Sequence, residues 1–398
     1  MTKESSRLMS MTAFARVAAT TFCLTACVGT VDVQPDGGTG GGVGTGGGVG
    51  TGGGVGSLDA GRLPRFVAQG HLARTTTSCD LGRTWVADRS EADGGDRCWE
   101  PSPDGGAEIE CDHQPTAGKG IAWGAGWFVA NFGWGSPGTI RRSSDGVSWT
   151  VVKTGPNYAS MTFGGGRFVA ASDSPDVSLD EGATWAPAGS GIGVGARRGG
   201  AGHVSGVDLV VMSGDNGLAV SADGGAGWTL LPRPPLSAKC GASQTRGGVV
   251  VGNGAVVVAG GAVCYSLDRG QTWNDAAFPG NIDSHLVFDG NDFWLWGNQV
   301  DAGYRHMAWK SSNGVSWSGQ PTESRLADGG TGAQVSLGPV AFGAGTFVAA
   351  SHEAYGAQRF YRSPDGVSWE TLPMSAFVRS HPIRNIAFGY VERSALCP

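Results

Sequence analysis

The stretch SLDEGATW, residues 178–185, decides how this chain is read. A serine, an aspartate, a glycine and a tryptophan stand at fixed offsets, and close copies recur along the chain. Four copies are eight residues long: SCDLGRTW from Ser78, SLDEGATW from Ser178, SADGGAGW from Ser221 and SLDRGQTW from Ser266. Three lack one residue before the glycine: SSDGVSW from Ser143, SSNGVSW from Ser311 and SPDGVSW from Ser363. The tryptophans fall at 85, 149, 185, 228, 273, 317 and 369, mostly 36 to 52 residues apart. That is the period of a propeller blade rather than of a short solenoid repeat. Only the first interval, 64 residues, is longer, and it holds an insertion at about 88–117. The chemistry of the copy is that of a tight turn. The carboxylate accepts hydrogen bonds from backbone amides, glycine supplies a positive φ, and the tryptophan lands on the following strand to pack inward. Asp80, Asp145, Asp180, Asp223, Asp268, Asn313 and Asp365 are therefore expected to be structural.

Upstream of each copy the strands can be read independently. IAWGAGWFVA from Ile121, MTFGGGRFVA from Met161, VVVGNGAVVVAG from Val249, LVFDGNDFWLWG from Leu286 and VAFGAGTFVAA from Val340 are each two apolar runs around a glycine turn, with the less tidy HVSGVDLVVMSG from His203 in the same place. Such pairs are hairpins, not helices. At the ends, RFVAQG at residues 65–70 matches the second strand of a blade whose first strand is missing, and NIAFGY at 385–390 matches a first strand that no turn follows. The carboxy terminus is thus expected to supply the innermost strand of the amino-terminal blade. The predicted fold is all-β: a closed seven-bladed β-propeller of four-stranded antiparallel blades, about 28 short strands, without exposed sheet edges.

The recurring octet resembles the Asp-box, or bacterial neuraminidase repeat, of sialidases, sortilin-type receptors, xyloglucanases and photosystem assembly factors. In those families the box sits at the hairpin between the third and fourth strands of a blade. Seven ordered matches covering residues 65–390 make this a resemblance of fold, and the families sharing it do unrelated things.

Outside the propeller, assigned to 58–398, the chain reads as a leader and a tether. Lys3, Arg7 and Arg16 precede the apolar run Val17 to Leu24, as in an export signal over 1–26. The run ends in LTAC, Leu24 to Cys27, which resembles the lipobox of bacterial lipoproteins; the resemblance implies acylation of Cys27 and, with Val28 following, the outer membrane. Residues 27–57 contain three copies of TGGGVG, at 39–56, and read as a flexible tether. A formal net charge of −6 argues against a nucleic-acid partner. No cofactor is expected, and a monomer is.

Six cysteines remain beyond the leader. Cys98 with Cys111 would close the insertion and Cys240 with Cys264 would stay within one blade, leaving Cys79 with Cys397 to staple the closing blade, although six cysteines allow fifteen connectivities. No metal spacing accompanies them.

In a four-stranded blade the one-to-two and three-to-four turns share one rim, and the two-to-three loops and the connectors share the other. The octets occupy the first rim. Every histidine maps to the second: His71, His306 and His352 in two-to-three loops, and His113, His203, His285 and His381 in or at the ends of connectors. Trp134, Asp173, Tyr304, Arg305, Glu353, Tyr355, Arg359 and Arg384 join them. Polar residues excluded from strand interiors gather on such a rim in any case, but it is also where a ligand would be met. The expected function is a lipid-anchored, non-enzymatic module binding or scaffolding a protein or glycan. The alternative is a sialidase-type exo-glycosidase, whose chemistry needs three arginines around a carboxylate, a tyrosine beside a glutamate, and an acid. Glu353 and Tyr355 with Arg305, Arg359 and Arg384 are its candidates, and Arg62-Leu63-Pro64 is the only counterpart of that family's Arg-Ile-Pro signature. No hydrolase elbow, Walker loop or dinucleotide fingerprint is present.

Overall fold

The computed structural model describes residues 61–70, 75–86, 99–100, 109–110, 118–133, 138–189, 192–232, 248–282, 284–299, 305–326, 330, 332, 335–351, 359–372 and 383–393. The leader, Cys27 and the tether lie outside them, as do Trp134, Tyr304, His352, Glu353, Tyr355, His71, His113, His381 and cysteines 98, 111, 240 and 397.

The octet folds into a turn that is closed by its own atoms. In SLDEGATW the Ser178 hydroxyl donates to Asp180 Oδ1 at 2.8 Å and accepts the Gly182 amide at 2.8 Å. The Thr184 amide donates to the same carboxylate at 2.8 Å and the Thr184 hydroxyl at 2.6 Å, while the Trp185 indole N–H donates to the Gly182 carbonyl at 3.1 Å. The serine-to-acid, glycine-to-serine and indole-to-glycine bonds recur in the other six copies. The seven serines are all buried, so each hydroxyl would be costly if unmade. The extra residue of the long copies is held in the left-handed region before the glycine: Leu81 at φ 59°, Glu181 at 60°, Gly224 at 73° and Arg269 at 64°.

These turns join the third and fourth strands of seven antiparallel blades. Blade 2 is the plainest, running Gly118–Gly124, Trp127–Phe132, Gly138–Ser143 and Thr150–Gly155 from the centre outward. Blades 3, 4 and 5 repeat it, with innermost strands Ser160–Gly164, Ala196–Val204 and Gly248–Gly252. The ring closes as expected: Ile383–Glu392 pairs with Arg62–Gly70, which pairs with Thr75–Ser78, and a bridge from Thr77 to Val86 stands for the outer strand. The insertion contributes a short pairing of Trp99–Glu100 with Ile109–Glu110.

Blades 6 and 7 depart from the pattern. The innermost strand of blade 6 comes in two pieces, Asn281–Ile282 and Val287–Phe288, both paired with Phe293–Gln299. Blade 7 runs Leu337–Gly343, Thr346–Ser351, Phe360–Ser363 and Ser368–Thr371, and its outer strand takes a fifth, parallel neighbour, Glu323–Leu326, from the connector before it. That addition covers an edge that would otherwise present unpaired backbone.

The core is a ring of seven seams rather than one central mass. Val67 and Phe128 meet between blades 1 and 2, Val129 and Phe163 between 2 and 3, and so on to Val348 and Phe388, which join blade 7 to blade 1. Second strands are accordingly buried on both faces, as in Phe128, Val129 and Ala130, whereas outer strands such as Ser318–Pro321 are exposed. The turn glycine is one of the parts that sets the seam spacing. A Cβ on Gly182 would lie 2.6 Å from Val129 of blade 2, on Gly146 2.6 Å from Val67 of blade 1, and on Gly82 2.6 Å from Val348 of blade 7. Each turn therefore ties down its own main chain and seats against the preceding blade.

Candidate functional site

The turn rim offers little to a ligand, because its carboxylates are already committed. Hydrogen bonds from Thr184 and Ser178 hold the Asp180 carboxyl at a pKa of about 2. Partial burial works against the charge at Asp80, Asp145, Asp223, Asp268 and Asp365, yet the turn amides and hydroxyls prevail and keep all five below the ordinary carboxylate value. Across three of the seams an arginine of the preceding blade reaches into a turn: Arg65 donates to the Asp145 carbonyl, Arg167 to that of Asp223 at 2.9 Å and Arg362 to that of Leu81 at 3.2 Å. A groove of about 520 Å³ does open on this rim between blades 6 and 7, beside Asp289, Trp294, Lys310 and Asp365. Its polar groups serve the fold: Asp289 accepts the Asn291 and Asp292 amides and the Trp294 indole, and Lys310 pairs with Asp292 at 2.7 Å above the Trp294 ring.

One expected member of the connector rim moves to this side. The sequence pattern puts His203 at the end of a connector, but the innermost strand of blade 4 begins seven residues earlier, at Ala196, so His203 lies beside the Ser205-Gly206 turn. Its Nδ1 meets Asp208 Oδ1 across that hairpin at 2.8 Å. Arg62 likewise lies at the turn-rim end of its strand, paired with Glu392 at 3.2 Å.

On the connector rim Arg305 and Arg359 are exposed at the inner ends of the third strands of blades 6 and 7, where the His306 carbonyl accepts the Thr322 amide and Ser351 exchanges hydrogen bonds with the Arg359 main chain. Arg384 is instead the second residue of the innermost strand of blade 1. The three arginines thus stand on three blades and two radii. Asp173 accepts the Gly195 and Ala196 amides at 2.8 and 3.2 Å and so anchors the connector into blade 4.

A tyrosine–acid pair exists among the described residues, but it is sealed. The Tyr158 hydroxyl and the Lys153 ammonium both bond Asp176 Oδ2, with Tyr158 2% and Asp176 5% exposed. Burial and the carboxylate push the phenol far above its usual pKa, making Tyr158 a fixed donor rather than a nucleophile.

The residues that converge lie on innermost strands, Arg198 near the connector-side end of blade 4's and His285 within blade 6's. His285 occupies the break in blade 6's innermost strand. Its amide donates to the Gly338 carbonyl of blade 7 at 3.3 Å, and its carbonyl accepts from Ser284 Oγ, which itself accepts the Trp296 amide. With its main chain so fixed, the buried ring brings Nε2 to 3.3 Å from Arg198 Nη2 of blade 4. Arginine only donates, so Nε2 accepts in this contact and the ring proton sits on Nδ1. Burial, and then the charge of Arg384, lower the pKa of Arg198 to about 10. Arg198 and Arg384 are nonetheless only partly covered, so solvent reaches both. His285 and Arg384 were expected on this rim. Arg198 was not, because GARRGGAGH reads as a glycine-rich connector, although two arginines before a strand-length run were a visible signal. Among the described residues no three histidine, cysteine or acidic side chains gather as a metal ligand set.

No protein-family model matches the chain, and no curated protein matches it. Among solved structures it is similar to a GH74 enzyme of Niastella koreensis at 17% identity and a TM-score of 0.49, covering 84% of this chain and 56% of that one, so the chain spans little more than half of that enzyme. It is also similar to YCF48 bound to D1 peptide, at 14% identity and a TM-score of 0.45 over 83% of this chain and 90% of that one. A third likeness is to apo AztD of Citrobacter koseri, at 9% identity and a TM-score of 0.47 over 83% and 98%.

Proposed function

We propose that this chain is a non-enzymatic binding or scaffolding module of the cell envelope, presenting a closed Asp-box propeller on a lipid-anchored tether to a protein or glycan. The observation that carries the reading is the division of labour between the rims. Six turn carboxylates and the Asn313 amide accept from their own main chain, while the non-repeating Arg305, His306, Arg359, Arg384 and His285 lie on the other side by the reading of the blades. A repeated, internally satisfied feature holds the scaffold; a non-repeated one distinguishes this propeller from others.

Trp134, Tyr304, His352, Glu353 and Tyr355 belong to the same proposed surface by their place in the sequence. Acylation at Cys27 supports anchorage in the outer membrane, with the tether of 27–57 holding the propeller away from the bilayer surface. The pairings Cys79 with Cys397, Cys240 with Cys264 and Cys98 with Cys111 suit such a compartment, and peptide mapping under non-reducing conditions tests them. The module is taken as a monomer with no nucleic-acid partner.

The direct test is capture. The full chain, solubilised in detergent, is applied to a glycan array and used as bait in an envelope pull-down, beside a variant with Arg305→Gln and Arg359→Gln. A ligand retained by the parent and lost by the double variant supports the reading. Turnover of a fluorogenic sialoside would replace it with the glycosidase reading, in which Glu353, Tyr355, Arg305, Arg359 and Arg384 carry the chemistry.

A further inference from the structure

We infer that the turn-rim groove between blades 6 and 7 binds a guanidinium group, the side chain of an arginine on a partner peptide, in the place that the chain's own arginines hold in other seams. The inference goes beyond the binding-module reading and is independent of it, since that reading concerns the connector rim.

The observation behind it is a break in the repeat. In each blade one position stands just before the second-strand residue that pairs with the turn serine. Arg65 precedes Phe66, which pairs with Ser78, and Arg167 precedes Phe168, which pairs with Ser178. Both arginines cross to the next blade and donate to the carbonyl of its turn aspartate. In blade 6 Phe293 pairs with Ser311, and the residue before it is Asp292. An acid thus stands where a guanidinium does elsewhere. The third strand offers a second route, taken by Arg362, which lies just before the turn serine of blade 7 and reaches the Leu81 carbonyl of blade 1. Its counterpart in blade 6 is Lys310, which turns back to Asp292 at 2.7 Å, over the Trp294 ring. Trp294 itself replaces the valine that meets the next blade's turn glycine at Val67, Val129, Val257 and Val348. Among the described residues no side chain donates to the Asp365 carbonyl. The place that three seams fill with an arginine opens here as the groove of about 520 Å³.

The groove suits a flat cation. Asp289 and Asp365 line it, and Asp292 holds Lys310, so three carboxylates accompany one ammonium. Their work in the fold leaves acceptor capacity. The Ser363 hydroxyl and the Val367 and Ser368 amides all end on Asp365 Oδ1, and a carboxylate accepts on both oxygens. Half-buried Phe342, packed on Phe347 at 4.6 Å, supplies an aromatic wall, and Gly345 beside it has nothing within 4 Å of its Cβ direction. A guanidinium can stack on such a ring and fork onto a carboxylate at once, which an ammonium cannot. The lining runs from the first hairpin of blade 7, at Phe342, to Gln320 on the outer strand of blade 6, a length that accommodates an extended segment around the arginine.

The test is calorimetric titration of the full chain with a blocked glycine–arginine–glycine peptide. Beside it run the same peptide with citrulline, which keeps the shape without the charge, and methylguanidinium, which lacks the peptide. The arginine peptide should bind saturably, methylguanidinium more weakly and the citrulline peptide not at all. Asp365→Asn keeps the turn, as Asn313 does in blade 6, and should weaken the arginine peptide about fivefold. Phe342→Leu should weaken it about threefold. Lys310→Met removes the resident cation and should strengthen binding severalfold, a gain that misfolding could not produce. Asp180→Asn, the same change in a turn of blade 3 whose seam Arg142 already bridges, should leave it unchanged.

Equal binding of the citrulline peptide, or unchanged binding in Asp365→Asn, would overturn the inference. So would absence of saturable binding in the folded parent, or weaker binding in Lys310→Met, which would mean that the lysine serves an anion. Methylguanidinium bound as tightly as the peptide would overturn the peptide as the source of the group.

Discussion

The two rims of this propeller are made from opposite kinds of sequence. On the turn rim the same few residues recur seven times, and their polar atoms are spent on one another, down to the indole N–H that returns to the turn glycine at 2.9–3.3 Å. On the connector rim almost nothing recurs, and Arg198 of blade 4 meets His285 of blade 6 at 3.3 Å although the two blades are not neighbours. Repetition marks what every blade needs, whereas convergence of unrepeated residues marks what only the assembled ring can do. Substitutions on the turn rim should therefore lower stability and spare binding, and those of exposed residues on the connector rim should do the reverse.

The largest effect is expected where a turn glycine meets the neighbouring blade. Gly82 has φ 83°, and an added Cβ would lie 2.6 Å from Val348 across the seam that closes the ring. Gly82→Ala combines left-handed strain with overpacking, a cost of about 2–5 kcal/mol. Gly254, in the first hairpin of blade 5, has φ 76° but nothing within 4 Å of its Cβ direction, so Gly254→Ala should cost about 1–2 kcal/mol. Chemical denaturation of the two variants separates the terms. Equal losses would mean that seam spacing contributes nothing.

Next comes the carboxylate itself. Asp180→Ala removes the acceptor for the Ser178 hydroxyl and for the Thr184 amide and hydroxyl. Because this turn is solvent-exposed, water replaces part of what is lost, and the cost should be about 1 kcal/mol. Ligand capture should be unaffected. Lost capture with an unchanged melting temperature would give the octet the functional role denied to it here.

How much of this could be read from residues alone follows the same division. The turns, their blade period and the donation of residues 385–390 to the amino-terminal blade were legible, because a local turn writes its requirements into a few contiguous positions. The seam role of the turn glycine was not, since Gly82 and Val348 are 266 positions apart and only closure brings them together. Blade 4 misled for a related reason. Its innermost strand, ARRGGAGHV, is too glycine-rich to look like a strand, yet a Cβ on Gly200 would come within 2.2 Å of the Val249 carbonyl oxygen, so the crowding of inner strands selects residues that strand patterns exclude. That displaced His203 to the wrong rim and hid Arg198. The Arg198–His285 contact was half visible, through His285, because which loops share a rim follows from topology while which side chains touch does not.

Acid should act on the turn rim as a set. Six turn aspartates have folded pKa values below the ordinary range, about 2 for Asp180, so their ionised form is favoured by folding. Their contribution is fully present above the unfolded carboxylate value near 4 and is lost as pH falls through the folded values. Thermal midpoints should therefore drop between about pH 4 and pH 2, and Asp180→Asn should drop less steeply than the parent over that interval. Identical slopes would place the acid lability elsewhere.

The smallest effect belongs to the one turn that lacks the charge. Asn313 fills the aspartate position in blade 6, and its Oδ1 accepts the Ser311 hydroxyl at 3.1 Å and the Val315 and Ser316 amides at 2.9 and 3.0 Å. The matching distances at Asp365, in another seven-residue copy, are 2.9, 2.9 and 2.8 Å. With a neutral acceptor two of the three bonds are slightly longer and one is equal, the direction expected when charge no longer assists them. Asn313→Asp should therefore stabilise, by about 0.5 kcal/mol at neutral pH, the gain being held down by exposure and by one more negative charge on a chain already at −6. If the charge is the cause, calorimetry will show the gain at pH 7 and its disappearance in acid below the ordinary carboxylate range, where the introduced carboxyl becomes protonated. A gain that survived at low pH would instead credit the shape of the side chain, and the turn rim would then owe its strength to geometry rather than to ionised acids.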